Sequence, residues 1–181
     1  MVPLSLLATG VFTQSGATWA SEKPHAIEKG PHLPFVTVIG NNGEAVNLDV
    51  LKGHVTLVSI VPQLNTPVCH EQTPRFSERN DGLDEVMTFV TLSTNTSHDQ
   101  HTFATKADMH NMTFLSNAPD YHFGTRTGLF LDQLSILHRA VLVLDTNGII
   151  RYVELVPLGQ LPDFDQAFRV SRTLLPTIAK E

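Results

Sequence analysis

The chain has 181 residues, 41% of them hydrophobic and 17% charged. That is enough for one domain with a sizeable core and ordinary for a globular protein. A formal net charge of -6 and 12 scattered Lys and Arg residues exclude a basic nucleic-acid groove and a polybasic membrane surface, and no apolar stretch approaches the roughly 20 residues of a membrane-spanning helix.

Residues 1–10 read as an N-terminal extension and residues 11–181 as a single domain. Pro3 to Phe12 is fairly apolar and Ala20 fits the end of a cleavage site. No Lys or Arg precedes the run, however, so a secretory signal is not expected. Val11 to Thr13 and Thr18 to Ala20, flanking Ser15-Gly16, read instead as a small β-hairpin. Pro24 to Pro34 is a loop. Phe35 to Ile39 is a predicted strand, and Asn41-Asn42-Gly43 turns the chain into a second short strand near Val46. His54 to Val61 is an apolar, β-branched run, the pattern of a strand buried on both faces.

Pro62 ends that strand, and Pro67 suits the first turn of a helix with Thr66 at its N-cap. This helix is predicted to run through Phe76 to about Arg79. Val86 to Ser93 is another strand, and Ser97 is placed to cap a helix reaching about His110. Thr113 to Leu115 is a short strand. Ala140 to Asp145 and Ile149 to Val156, joined by Thr146-Asn147-Gly148, form the clearest hairpin in the chain. Asp163 caps a final amphipathic helix with Phe164, Ala167, Phe168 and Leu175 at apolar spacing. The fold class is α/β, with helices on both faces of a central sheet. The order is compatible with a thioredoxin-like fold, without singling it out.

The chain has one cysteine. An intramolecular disulfide is therefore impossible, and the usual multi-cysteine zinc site is excluded. The commoner fate of a free cysteine is a small buried apolar residue. Cys69, however, falls in the first turn of a helix that follows a buried strand, where unpaired backbone N–H groups and the helix dipole favour a thiolate. The Thr66 hydroxyl is placed to cap that helix, or to donate to the sulfur or to a substrate oxygen. Attack by a thiolate requires positioning of the bond to be broken and stabilisation of the moving charge. An arginine suits that task, being permanently protonated and offering a planar fork of donors.

Pro62, Thr66 and Cys69 match the Pro-x-x-x-Thr-x-x-Cys motif of peroxiredoxins. The fuller string from Val61 to Cys69, followed by Gln72-Thr73 and Arg75-Phe76, resembles the bacterial thiol peroxidase subgroup. The resemblance continues through Leu137 to Asp145, where Arg139 falls on the family's active-site arginine, and through Arg151 to Glu154 and the closing helix. It covers roughly Val11 to the end. It implies a thioredoxin-like fold with a central mixed sheet and an N-terminal hairpin, a homodimer, and a bacterial cytoplasmic setting. It further implies that Cys69 is peroxidatic towards hydrogen peroxide and organic hydroperoxides, that Pro62 shields the sulfur, and that Thr66 contacts the peroxide. Arg139 is then expected to lower the thiol pKa and bind the oxidant. No cofactor is expected.

The chain departs from that pattern at two positions. Ala104 stands where the subgroup's resolving cysteine is expected, and Asn95 replaces a usual aspartate. Sulfenic acid on Cys69 must then be reduced by an external thiol, either a thioredoxin-like protein or a small thiol, or through an intermolecular disulfide. The alternative is a peroxide sensor or interaction protein that lost turnover with the resolving cysteine. Among the nine histidines, His98, His101, His110 and His122 lack an acidic or cysteine partner at convincing spacing, so no metal site is expected. His70 adjoins Cys69, but adjacent helical residues point apart. Arg75 and Arg126 are further candidate cations, with plain surface charge as their commoner role.

Overall fold

The structure, a computed structural model, describes residues 27–78, 81–157 and 159–176. The extension and hairpin expected over residues 1–20 lie outside these. The strands are β1 (Thr37–Gly40), β2 (Ala45–Asn47), β3 (Thr56–Ile60), β4 (Thr88–Ser93), β5 (Thr113–Ser116), β6 (Phe130–Leu131), β7 (Ile136–Leu137), β8 (Ala140–Leu144) and β9 (Ile150–Leu155). The helices are α1 (Pro67–Glu78), α2 (Ser97–Lys106), α3 (His122–Thr127) and α4 (Phe164–Leu174). Among the described residues, seven strands form one mixed sheet in the order β2-β1-β5-β4-β3-β8-β9, and β6 and β7 form a small separate ladder. β3, β4 and β5 run parallel, as expected where α1 and α2 carry the chain back to the same end of the sheet. β8 lies antiparallel beside β3 and pairs with β9 through the predicted hairpin. Gly148 supplies its left-handed position, at φ 77°.

β3 and β8 are buried along their whole length, so each presents apolar residues to both faces. On one face Leu57, Phe89, Val141 and Val143 pack under α1 and α4. On the other, Val58, Ile60, Leu142 and Leu144 form a core with Phe123 of α3 and with Leu48 and Leu51 of a short 3₁₀ turn. Phe76 clamps α1 to the sheet. Its ring stacks on Phe164 at 5.3 Å and tilts against Phe89 at 5.0 Å. Removing such a ring costs about 3–5 kcal/mol. This clamp matters because Pro74 lies inside α1 and has no N–H to donate to the His70 carbonyl.

Four expectations are corrected. The first strand starts at Thr37, not Phe35, and Phe35 is exposed. The cap of α2 is Thr96 rather than Ser97, its hydroxyl accepting from the Asp99 amide at 3.2 Å. α2 stops at Lys106 rather than near His110, since Asp108 takes a left-handed φ of 51° that no helix continues through. The region 117–137, left without elements by the sequence pattern, holds α3, β6 and β7. There the Asn117 side chain accepts from the amides of Phe123 and Gly124 and so starts α3. Gly124 allows the close approach that follows, since a Cβ there would lie 2.5 Å from Leu137 Cδ2.

At the hairpin turn, burial works against the Asp145 charge. Hydrogen bonds from the Ile149 amide, the Arg151 guanidinium and the Asn147 amide outweigh it and hold the carboxyl below its ordinary value.

Candidate active site

β3 gives its last ladder bond at Val61, whose amide donates to Leu92 at 2.9 Å. Pro62, buried, has no N–H to continue the ladder, so the chain leaves the sheet there. The departing loop is tethered to the end of β4 at two points. The Thr94 hydroxyl donates to the Pro62 carbonyl at 2.7 Å, and the Leu64 amide donates to Asn95 Oδ1 at 2.7 Å. Asn95 is fixed in turn, its carbonyl accepting from the Ser116 hydroxyl at 2.6 Å. Asn95 thus supplies the side-chain oxygen that accepts from the loop. Thr66, half-buried, closes the loop, its amide and hydroxyl both donating to the Gln63 carbonyl, at 3.4 and 3.1 Å. Pro67 then opens α1, with Cys69 as its third residue.

Arg139 precedes β8 and is 3% exposed. The register pairs Ser59 with Val141, and side chains alternate along a strand. Ser59 and Arg139 therefore share the face on which α1 lies. Gln72 of α1, fully buried, meets both: Arg139 Nη1 donates to Gln72 Oε1, and Gln72 Nε2 donates to Ser59 Oγ at 2.9 Å. Gln72 sits three residues after Cys69, one helical turn along. The bond thus ties a buried guanidinium to the helix that bears the cysteine.

The sequence pattern of the Redoxin family matches residues 28–168. The chain belongs to the Redoxin family. Within it the chain stands with the thiol peroxidases. It is 34% identical over 149 residues to the thiol peroxidase of Staphylococcus haemolyticus, covering 82% of this chain and 90% of that one. To the thiol peroxidase of Staphylococcus aureus (strain COL) it is 33% identical over 153 residues, covering 84% and 92%. Among solved structures, a peroxiredoxin-like protein from Aquifex aeolicus superposes with TM-score 0.75 at 27% identity, over 82% of this chain and 88% of that one. The thiol peroxidase from Chromobacterium violaceum shares the fold, with TM-score 0.69 at 16% identity over 82% and 87%.

Arg75 is exposed and pairs with Glu71 at 2.6 Å. Arg126 lies on α3 and lines a cavity of about 530 Å³ beside β1, which none of Pro62, Thr66 and Arg139 lines. His98 and His101 are exposed on α2, His122 is exposed on α3, and His110 pairs with Asp108 at 2.9 Å. Among the described residues no three His, Cys, Asp or Glu side chains cluster as metal ligands. None of the described helices is long and apolar enough to cross a membrane. Ala104 is half-buried and packs on the cluster of Val61, Leu64, Met109 and Phe114.

Sequence reasoning gave no role to Ser59, Gln72 or Thr94. The signal for Ser59 is a lone hydroxyl within the apolar run Leu57 to Val61. The signal for Gln72 is a polar residue at i+3 from the cysteine.

Proposed function

We propose that the chain reduces hydrogen peroxide and organic hydroperoxides at Cys69, with Pro62, Thr66 and Arg139 completing the site. The observation that carries this reading is the Arg139–Gln72 bond, which couples a buried cation to the helix of the cysteine. A thiolate in the first turn of α1 gains from the helix dipole and from that cation. It attacks the near oxygen of the hydroperoxide. The S–O bond forms as the O–O bond breaks, and the far oxygen leaves with the electron pair as hydroxide or alkoxide. The guanidinium offers donors to the oxygen that gains charge, the Thr66 hydroxyl orients the peroxide, and Pro62 screens the sulfur from water.

Cys69 is left as a sulfenic acid. An external thiol attacks its sulfur, displaces water and forms a mixed disulfide, and a second thiol then releases Cys69. Ala104 supports external recycling, because it supplies no second sulfur. We read the working unit as a homodimer in the bacterial cytoplasm, on the family resemblance and on the lone cysteine, which fits a reducing compartment.

The test is intact mass after one equivalent of peroxide, followed by turnover with glutathione-like thiols and with a thioredoxin system. Added oxygen on Cys69, then recovery of the free thiol and steady peroxide consumption, is the expected result. One oxidation that no thiol reverses assigns the chain to peroxide sensing instead. No oxidation at all removes both readings.

A further inference from the structure

Arg139 offers only donors, so the Gln72 amide must meet it through Oε1. Nε2 is then a donor pointing into a site where Gln72 is fully buried, and leaving such a donor unsatisfied is costly. Ser59, also fully buried, accepts from it at 2.9 Å. Ser59 belongs to β3, which is buried along its whole length, so its hydroxyl is held within the sheet.

We propose that Ser59 is a positioning residue for peroxide reduction: its hydroxyl holds the Gln72 amide with Oε1 presented to Arg139, and so sets where the guanidinium stands beside the helix of Cys69. This rests on the peroxidase reading above and adds a residue to it. Without the hydroxyl, the Gln72 amide swings or turns to find another acceptor. A turned amide opposes donors to donors at Arg139, and the cation shifts. A carboxylate at position 72 has no donor to satisfy and accepts from Arg139 through either oxygen, so it makes Ser59 dispensable.

The experiment compares wild type, Ser59→Ala, Ser59→Thr, Gln72→Glu and the double variant Ser59→Ala/Gln72→Glu. Each is read by stopped-flow oxidation of Cys69 with hydrogen peroxide, by the pH profile of Cys69 alkylation, and by thermal melting. Ser59→Ala is expected to slow oxidation about tenfold, the loss of roughly one such hydrogen bond, and to move the alkylation profile to higher pH. Ser59→Thr restores both. In the Gln72→Glu background, Ser59→Ala leaves rate and profile where Gln72→Glu alone puts them.

Wild-type rate and profile in Ser59→Ala overturn the proposal. So does an equal loss in both backgrounds, which is the mark of packing damage. Should Ser59→Ala fail to fold, Gln72→Met against Gln72→Glu reads the same relay, and equal rates and profiles in those two overturn it. If wild type is not oxidised by peroxide, the peroxidase reading falls, and the alkylation profiles of the same variants still decide the relay.

Discussion

Thr94→Val isolates one of the two tethers that hold the loop of Pro62. Valine keeps the shape of threonine and removes the hydroxyl. Thr94 is 9% exposed, and its Oγ1 donates to the Pro62 carbonyl at 2.7 Å. The variant leaves that buried carbonyl without its donor, at a cost of about 1–3 kcal/mol. At about 2 kcal/mol, and with about 2–4 °C lost per kcal/mol for a chain of this size, melting falls by about 4–8 °C. The second tether, from the Leu64 amide to Asn95 Oδ1, survives, so the loop shifts and does not melt. Small misplacements at a reacting centre cost up to about 10²-fold in rate, and with one tether left about tenfold slower oxidation of Cys69 is expected. The assays are calorimetry and stopped-flow oxidation, with Thr94→Ser as the control that keeps the hydroxyl. Combining Thr94→Val with Asn95→Ala gives a non-additive loss, since both bonds hold one loop. Melting within about 1 °C of wild type, well below that estimate, together with a wild-type rate, refutes the tether.

Three further outcomes follow. Arg139→Ala is expected to move the alkylation profile of Cys69 to higher pH, towards the free-thiol value of about 8.5; superimposable profiles for wild type and variant dismiss the cation's electrostatic part. Thr66→Val slows peroxide reduction by about 10²-fold while melting near wild type, because Thr66 is only half-buried and its amide still donates to Gln63; a rate within about threefold of wild type, far short of that donor-loss estimate, removes Thr66 from the mechanism. Asp145 has a folded pKa below its unfolded value, so its contribution is present above pH about 4 and is lost as pH falls through the folded pKa. Asp145→Asn is therefore less stable than wild type at pH 7, and the gap closes in acid; a gap constant down to the acid limit contradicts the carboxylate's role.

Short-range chemistry made part of this molecule legible from the chain alone. The β-branched apolar run around β3 fits a strand buried on both faces, Pro62 cannot continue a ladder, and Pro67 fits a first helical turn. These local rules place Cys69 at the start of α1 without reference to the rest of the fold. Asn147-Gly148 specifies the β8–β9 hairpin in the same way, because few residues accept its turn geometry. The motif and Arg139 were recognisable as a family pattern.

What the chain could not disclose is what distant residues do for one another. α3, β6 and β7 span six, two and two residues, too short for a periodicity to declare itself. They exist because Asn117 caps α3 and because Gly124 lets Leu137 and Phe130 close in. The partnership of Arg139 with Gln72 joins residues 67 apart in sequence. It forms because the β3–β8 register puts Ser59 and Arg139 on the face that Phe76 clamps α1 against. A buried polar side chain takes whatever partner the packing brings to it, and only the assembled sheet and helix decide which partner that is.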